Sequence, residues 1–236
     1  MSSLFGSPIN RALINVFFLN DRVKRDPGVA DPGITPVSLS QVGVIGAGIM
    51  GAGIAAANLK RGCTVALHDD SQDALEAGAE NVLSEVAYNR ATKEKDTAKL
   101  LEFAPHLITA AAQQDLNPCD LIIEAIVENP EIKKKLFASL EPMIREEVIL
   151  ASNTSTIPIT QMAAVLKRRD RFCGIHFFNP VRRMQLVEVI RGQETSDQTM
   201  ATAVAHVKRI GKLPIVVNDG PGFLVNRILS PYMNEA

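Results

Sequence analysis

Two residues of this chain, His176 and Glu188, have the types and the spacing of an acid–base pair. His176 lies at the end of an apolar, β-prone run that starts at Phe172, and Glu188 is the single charged residue of the apolar run 186–190. If the two runs fold back on each other about residue 182, the two positions lie opposite one another. A carboxylate beside an imidazole fixes its tautomer and stabilises its protonated form, as a general base requires. The alternative is a half-buried histidine in an ordinary hairpin.

A glycine-rich segment of the form G-x-G-x-x-G covers residues 46–51, between a predicted strand and a predicted helix. Gly46 allows the tight turn, Gly48 lets a pyrophosphate approach the backbone, and Gly51 lets the helix pack closely on the strand. Free N–H groups at the start of the helix then face the phosphates. The arrangement predicts a dinucleotide site, and the alternative is a turn of glycines that binds no dinucleotide.

An aspartate, Asp69, ends the next predicted strand 23 positions after Gly46. Dinucleotide-binding proteins carry the acid that binds the ribose at about this distance. A carboxylate accepts hydrogen bonds from both ribose hydroxyls and repels a 2′-phosphate, so we expect NAD rather than NADP as cofactor. Asp70 is the competing candidate, although Asp69 lies nearer the end of the strand.

The composition is that of an ordinary globular protein and gives no reason to expect a nucleic acid or an anionic membrane as partner. Of 236 residues, 46% are hydrophobic and 22% are charged, and the formal net charge is −1. The basic pair at 182–183, beside the His176 segment, could attract an anionic substrate. Three cysteines without metal-like spacing predict buried free thiols, a reducing compartment and no metal site. Without a signal-peptide pattern or an apolar run of about 20 residues, we expect a cytoplasmic protein with no membrane span.

The elements that must position these residues alternate between strand and helix from residue 41 onward. Strands are predicted at 42–46, 64–69, 120–125, 148–152, 172–177, 186–191 and 213–217, with a weak one near 107–109. Helices are predicted at 49–61, within 71–103, at 130–144, at 196–210 and from 221 onward. Short apolar strands between helices indicate an α/β fold with a doubly wound, mainly parallel sheet. The first residues differ, because a short amphipathic helix at 9–23 is followed by a Pro/Gly-rich loop at 26–36.

The carboxyl ends of the strands should bring further polar residues to the ligand-binding edge of this sheet. The strand 120–125 leads to Val127, Glu128 and Asn129, with Lys133 one turn into the next helix. The strand 148–152 leads to residues 153–155, and the strand 172–177 leads to 177–180. For residues 153–155 the alternative is a helix cap before Pro158, and capping can coexist with ligand contact.

Six segments, in this order, strongly resemble the 3-hydroxyacyl-CoA dehydrogenases. They are G-A-G-I-M-G at 46–51, E-A-I-V-E-N at 124–129, S-N-T-S at 152–155, H-F-F-N-P at 176–180, L-V-E at 186–188 and P-G-F-L-V-N-R at 221–227. The resemblance implies a Rossmann-type fold with antiparallel additional strands and NAD as cofactor. The implied reaction is oxidation of an L-3-hydroxyacyl-CoA to the 3-oxoacyl-CoA in fatty-acid β-oxidation. Other NAD-dependent hydroxyacid or sugar-acid dehydrogenases share the glycine segment but are not expected to carry H-F-F-N-P with a glutamate twelve residues after its histidine.

The same resemblance assigns roles to individual residues. His176 is the catalytic base and Glu188 its partner, while Ser155 and Asn226 orient the substrate oxygen. The positions that line the NAD site are Gly46, Gly48, Met50, Gly51, Asp69, Val127, Glu128, Asn129, Lys133, Ser155 and Asn179.

The resemblance also bears on domain organisation. Residues 17–24 resemble the segment that joins an enoyl-CoA hydratase domain to the dehydrogenase in multifunctional fatty-acid oxidation α-subunits. We therefore expect an arm and linker at 1–40, an NAD-binding domain at 41–218, and the start of a helical substrate and dimerisation domain at 219–236. The partners implied are a 3-hydroxyacyl-CoA, a hydratase domain in the parent chain and, as an option, a second copy of the chain.

Family members continue for roughly another helical domain, so we expect an excised piece that binds NAD with little turnover. It should expose apolar surface or self-associate through Phe223, Leu224, Val225, Ile228, Leu229 and Met233. The alternatives are a standalone 3-hydroxybutyryl-CoA dehydrogenase and a catalytically silent NAD-binding module.

Overall fold

The computed structural model describes residues 4–89 and 92–235. Its strands are β1 (Gln41–Ile45), β2 (Thr64–His68), β3 (Leu107–Ala110), β4 (Leu121–Glu124), β5 (Ile149–Ser152), β6 (Phe172–Phe177), β7 (Leu186–Arg191) and β8 (Leu213–Asn218). Its helices are α1 (Pro8–Arg25), α2 (Ile49–Leu59), α3 (Gln72–Ala87), α4 (Thr97–Phe103), α5 (Pro130–Leu140), α6 (Ile159–Ala163), α7 (Asp197–Arg209) and α8 (Val225–Asn234). Residues 1–3, 90–91 and 236, which belong to the predicted arm, helical stretch and C-terminal segment, lie outside the described residues.

All eight strands form one sheet, in the order β3-β2-β1-β4-β5-β6-β7-β8. Strands β1 to β6 run parallel, β7 pairs antiparallel with β6, and β8 pairs parallel with β7. The prediction of a mainly parallel sheet with antiparallel additional strands is confirmed. Because the chain order reverses between β1 and β4, the carboxyl ends of these strands flank a crevice where such sheets bind ligands.

Apolar side chains cover both faces of this sheet, which explains why its central strands are continuous apolar runs. One cluster of buried residues joins the sheet to α2, α3 and α7, and a second joins it to α5 and α6. Short polar side chains start the longer helices, since Ser71, Asn129 and Ser196 each accept a backbone N–H from the first turn of α3, α5 or α7.

The N-terminal segment has the predicted form of a helix followed by an irregular linker. No residue of α1 is buried, and residues 26–40, all of them described, form neither helix nor strand. The linker nevertheless lies against α7, because Gln198 donates to the carbonyl of Thr35 (2.9 Å) and Thr202 accepts the N–H of Val37 (3.2 Å). The domain boundaries at 40 and 218 stay predictions.

The stretch 71–103, predicted as one helix or several, consists of α3 and α4, with a bridge between Tyr88 and Lys95 in the intervening segment. Two elements differ from the predicted pattern. The helix predicted from 221 begins at Val225, because residues 221–224 form a turn in which Gly222 and Phe223 have positive φ angles of 73° and 49°. The five-residue helix α6 was not predicted, and the carboxylate of Asp219 caps it by accepting the N–H groups of its first two residues.

The three cysteines are buried free thiols, as predicted. Burial raises the pKa of Cys119 and of Cys173 to about 12, so both thiols stay protonated at neutral pH. Across residues 4–89 and 92–235 no cluster of three His, Cys, Asp or Glu side chains suits a metal ion. No helix in the described ranges is both long and apolar enough to cross a membrane.

Candidate active site

The strands β6 and β7 form the hairpin that the spacing of His176 and Glu188 predicts. The two residues are paired in the register, and Nδ1 of His176 lies 2.8 Å from Oε2 of Glu188. Both side chains are enclosed, with 5% of His176 and none of Glu188 exposed. The expected fold-back about residue 182 is therefore confirmed.

The carboxylate of Glu188 has acceptor bonds on both of its oxygens. While Oε2 faces His176, Oε1 accepts the backbone N–H groups of Leu224 and Val225, each at 2.9 Å. Burial raises the pKa of Glu188, but the hydrogen bonds from His176 and from the two N–H groups outweigh it and hold the pKa below its ordinary value. Glu188 is thus ionised at neutral pH, so Nδ1–H of His176 donates to it and a neutral ring keeps its lone pair on Nε2.

Two aromatic rings form walls beside His176. The ring centroid of Phe178 lies 4.5 Å from that of His176, and the centroid of Phe223 lies 6.0 Å away. Phe223 is 3% exposed, so its prediction as exposed apolar surface is wrong. The turn at 221–224 directs this ring inward, onto the core and the imidazole.

The glycine segment forms a tight loop between β1 and α2. Gly46 has a φ of 99°, and a Cβ there would lie 2.6 Å from the carbonyl oxygen of Ala125. A Cβ on Gly51 would lie 1.7 Å from the carbonyl oxygen of Gly46, which no relaxation could accommodate. A Cβ on Gly48 would meet no atom within 4 Å, so this position opens onto space that a ligand can occupy.

Of the two competing aspartates, Asp69 is the one that faces the glycine loop. Its Oδ2 accepts the N–H of Ala47 (2.8 Å) and its Oδ1 accepts the N–H of Ser71 (3.0 Å). Asp70 is directed outward, with 90% of its side chain exposed and its Oδ1 3.4 Å from Nε2 of His68. The predicted choice of Asp69 over Asp70 therefore has a geometric basis.

A cavity of about 850 Å³ opens at this loop. The predicted residues that line it are Gly46, Gly48, Met50, Asp69 and Val127, and the competing aspartate Asp70 lines it as well. The lining residues that the sequence did not single out include Gln113, Ile126, Ile132, Lys135 and Leu136. Its walls are therefore mostly apolar, with two acids and backbone N–H groups near the loop, which is the character of a nucleotide site.

An ionic network, buried at Glu124 and Lys133 and exposed at Glu128, follows strand β4. Lys133, 1% exposed, donates to Oε1 of Glu124 (2.5 Å) and lies 3.2 Å from Oε2 of Glu128. Glu128 also accepts the hydroxyl of Thr154 (2.5 Å) and the N–H of Ser155 (2.8 Å). Burial raises the pKa of Glu128, but these donors and Lys133 outweigh it and lower the pKa. The network fixes the loop that carries Ser155 to the loop that carries Glu128.

The remaining predicted residues have different neighbours. Asn129 caps α5 by accepting the N–H groups of Glu131 and Ile132. Asn226 donates to the carbonyl of Ser155 at 3.2 Å, so the two predicted substrate-orienting residues lie together. Asn179 lines a second cavity of about 440 Å³, which adjoins the cavity at the glycine loop at Ile49.

Residues 153–155 do not cap a helix directly. Asn153 accepts the N–H of Phe177 (2.8 Å) and thereby ties the end of β5 to the end of β6. The hydroxyl of Thr154 accepts the N–H groups of Thr156 and Ile157 within the loop itself. The capping alternative is therefore wrong, since α6 begins at Ile159 and is capped by Asp219.

Comparison with known proteins decides what this site belongs to. The family model described as 3-hydroxyacyl-CoA dehydrogenase, NAD binding domain, matches residues 41–220. The chain belongs to this family. NAD is accordingly its cofactor, and the predicted resemblance and α/β fold are confirmed.

Individual relatives agree with the family. The chain is 46% identical over 177 residues to the fatty acid oxidation complex subunit alpha of Idiomarina loihiensis, an alignment that covers 73% of this chain and 24% of that protein. The crystal structure of (S)-3-hydroxybutyryl-CoA dehydrogenase PaaH1 from Ralstonia eutropha superposes with a TM-score of 0.80 at 43% identity, covering 84% of this chain and 70% of that one. The 3-hydroxybutyryl-CoA dehydrogenase of Escherichia coli has a TM-score of 0.80 at 35% identity, covering 84% and 42%. The chain thus spans 24% of the curated relative's length.

The residues of this 3-hydroxyacyl-CoA dehydrogenase domain fit NAD. The open space at Gly48 leaves room for a pyrophosphate, and α2 begins directly after this glycine with no side-chain cap on its N–H groups. The carboxylate of Asp69 stands at the same loop, where a ribose would lie.

Sequence reasoning missed three residues of the site, namely Glu124, Phe178 and Phe223. Glu124 is fully buried and accepts the hydroxyl of Ser152 (2.6 Å) as well as Lys133. It is the one charge within the apolar run 121–126, and this is the signal that identified Glu188. No local pattern could have indicated Phe223, because its ring reaches His176 only through the turn that precedes α8.

Proposed function

We propose that this domain serves the NAD-dependent oxidation of L-3-hydroxyacyl-CoA to 3-oxoacyl-CoA in fatty-acid β-oxidation, with His176 as the general base. The observation that carries the proposal is the enclosed 2.8 Å contact between Nδ1 of His176 and ionised Glu188. It leaves the Nε2 lone pair as the proton acceptor of the site.

The chemistry assigned to the dyad is removal of a hydroxyl proton. Nε2 of His176 takes the proton from the C3 hydroxyl, and Glu188 stabilises the imidazolium that forms. NAD, when bound, would accept the hydride that leaves C3 of the substrate. The rings of Phe178 and Phe223 exclude water from the imidazole, which strengthens its interaction with the carboxylate.

The remaining residues are assigned to binding. Asp69 and the glycines of the loop would hold the ribose and the pyrophosphate, together with Met50. Residues nearer the centre of the sheet would hold the nicotinamide end: Val127, Glu128, Asn129, Lys133, Ser155 and Asn179. Ser155 and Asn226 would orient the substrate oxygen, and the hydrogen bond from the Asn226 amide to the backbone carbonyl of Ser155 places the two residues together.

The groove beside Asn179 suits the pantetheine arm of an acyl-CoA. It has a volume of about 440 Å³, lies between α2, α3 and the turn after β6, and is lined mostly by apolar groups. The substrate class, a hydratase domain in the parent chain, a second copy as partner and a cytoplasmic location all belong to this proposal. The curated relative, a fatty acid oxidation complex subunit, and the two 3-hydroxybutyryl-CoA dehydrogenases support the substrate class and a place in a larger complex.

The test is NADH formation from L-3-hydroxybutyryl-CoA by the wild-type chain and by His176→Gln, at protein concentrations high enough to record the slow turnover that is expected. Loss of the base should lower the rate by about 10²–10⁴-fold while NADH affinity by calorimetry stays unchanged. Lys167→Ala is the control, since this exposed lysine precedes β6 at the opposite edge of the sheet.

Two results would overturn the proposal. Equal rates in the wild type and in His176→Gln would remove the histidine from the chemistry. NADH binding without any oxidation by the wild type would favour the alternative function, an NAD-binding module that is catalytically silent.

A further inference from the structure

We propose that a basic hollow at the end of α2 binds the phosphates of the CoA nucleotide. The basic hollow is the cavity formed by the cations Lys60, Arg61, Arg182, Arg183 and Lys212. This inference rests on the proposed function, because it assigns the nucleotide end of the same acyl-CoA substrate.

The hollow lies where three segments meet: the end of α2, the turn after β6 and the loop between α7 and β8. Its volume is about 400 Å³, and Glu85 is the single carboxylate among its described lining residues. Five cations and one carboxylate leave a formal charge of +4 around a small space. Such a concentration of positive charge attracts a polyanion.

Two of the five cations have neither an ion pair nor a side-chain hydrogen bond among the described residues, whereas Lys212 donates to backbone carbonyls. Lys60 lies 2.8 Å and Arg182 3.5 Å from the carboxylate of Glu85. Within the described part of the chain, neither a hydrogen bond nor an ion pair is found for the guanidinium of Arg61 or Arg183. A guanidinium presents a planar fork of donors that suits a phosphate, so these two groups are the ones available to a ligand.

The fifth cation, Lys212, binds the backbone of the turn at 181–184 and so helps to fix the wall of the hollow. Its ammonium donates to the carbonyl of Val181 and, at 2.7 Å, to that of Met184. Burial, together with the charge of Lys60, lowers the pKa of Lys212.

The turn that carries the two arginines is held firmly in place. The N–H groups of Arg183 and Met184 both donate to the carbonyl of Pro180, at 2.9 and 3.1 Å. The buried side chain of Val181 packs on Gly53 of α2, where an added Cβ would lie 3.0 Å from it. The hollow is consequently preformed, which reduces the entropic cost of binding a ligand there.

The hollow is continuous with the groove assigned to the pantetheine arm. Gly53, Glu85 and Arg182 line both spaces, and the groove also contains Asn179 and Pro180. From Asn179 to Arg183 the backbone can span at most about 14 Å, and the turn makes the actual distance shorter. The hollow therefore lies within one short turn of the groove assigned to the pantetheine arm.

CoA has the matching distribution of charge. Its pantetheine arm is flexible and uncharged, and its nucleotide end carries a diphosphate and a 3′-phosphate. The apolar groove fits the arm, and the basic hollow fits the phosphates. Arg61 and Arg183 are assigned as the residues that bind them.

The experiment is calorimetric titration of the full chain with CoA and with 3′-dephospho-CoA. The double variant Arg61→Ala/Arg183→Ala should bind CoA at least about tenfold more weakly than the wild type, a loss expected for two charge-assisted phosphate contacts. The variant Arg61→Lys/Arg183→Lys should recover part of the affinity, because it keeps the charges. Lys167→Ala is again the control, and NADH is titrated into every variant.

The outcomes separate this inference from the proposed function. Loss of CoA binding with unchanged NADH binding supports the hollow, whatever the rate of NADH formation. CoA affinity in the double alanine variant within twofold of the wild type would overturn the inference and leave the dyad untouched. Inorganic pyrophosphate that binds as tightly as CoA would overturn it too, since the hollow would then be an anion site without preference for the nucleotide.

Discussion

The glycines of the loop have different roles, one in binding the dinucleotide and one in folding, and single substitutions can distinguish them. Gly48→Ala should fold normally, because an added Cβ meets no atom within 4 Å, yet it should abolish NADH binding by filling the space of the pyrophosphate. Gly51→Ala should fail to fold stably, because its Cβ would lie 1.7 Å from the carbonyl oxygen of Gly46. Thermal unfolding and NADH calorimetry measure both effects. Unimpaired NADH binding by Gly48→Ala would show that the dinucleotide does not approach this glycine.

A second prediction at this scale concerns the choice between NAD and NADP. Asp69→Asn should weaken NADH binding and narrow the preference for NADH over NADPH, since an amide no longer repels a 2′-phosphate. Asp70→Asn is the comparison, because Asp70 lines the same cavity but is 90% exposed and lies beside His68 rather than at the glycine loop. Parallel titrations with the two cofactors provide the measurement. A wild-type chain that binds both equally well would contradict the role of Asp69.

At the scale of elements, the helices α2 and α7 meet at a buried polar pair. Nε2 of His206 lies 2.8 Å from Oδ1 of Asn58, and burial, helped by the charge of Arg209, lowers the pKa of His206 to about 4. The unfolded chain binds the proton from about pH 6.5 downward, so folding stability is complete above that pH and is lost as the pH falls towards 4. The loss attributable to His206 is roughly 3 kcal/mol.

His206→Gln should therefore be less sensitive to acid than the wild type. Denaturant unfolding between pH 7 and 4 gives the free energy of unfolding of the wild type and of His206→Gln. As the pH falls, the wild type should lose more of this free energy than the variant. If the free energies of unfolding of the two proteins instead differ by the same amount at every pH in this range, His206 does not titrate on unfolding.

The β6–β7 hairpin could be predicted from the sequence, whereas the start of α8 could not. The β6–β7 register followed from two apolar runs whose single polar residues are twelve positions apart, and local periodicity sufficed for the strands. The start of α8 could not be predicted, because Glu188, far along the chain, accepts its first N–H groups. Phe223 was wrongly assigned to the surface for the same reason. Long-range contacts determine the start of α8 and the burial of Phe223, so neither can be predicted from the local sequence pattern.

For the whole molecule, both α1 and α8 expose apolar side chains, and those of α8 belong to the segment expected to self-associate. Ile228 is 62% exposed, and Tyr232 and Met233 are each 70% exposed. Apolar surface of this kind favours association. We expect the apparent mass by light scattering to rise with concentration, and Ile228→Asp to reduce the rise. Leu101→Asp on α4, where Leu101 is 70% exposed, is the control. A monodisperse monomer at all concentrations would contradict the prediction.

The most direct test of His176 as a general base held by Glu188 is a double-mutant cycle on these two residues. NADH formation is compared in the wild type, His176→Gln, Glu188→Gln and the double variant, with glutamine at 188 still able to accept the N–H groups of Leu224 and Val225. If Glu188 acts only through His176, its loss slows the wild type by at least about tenfold and leaves His176→Gln unchanged. Two losses that multiply in the double variant would show that the residues act independently, and would contradict the assignment of His176 as a base held by Glu188.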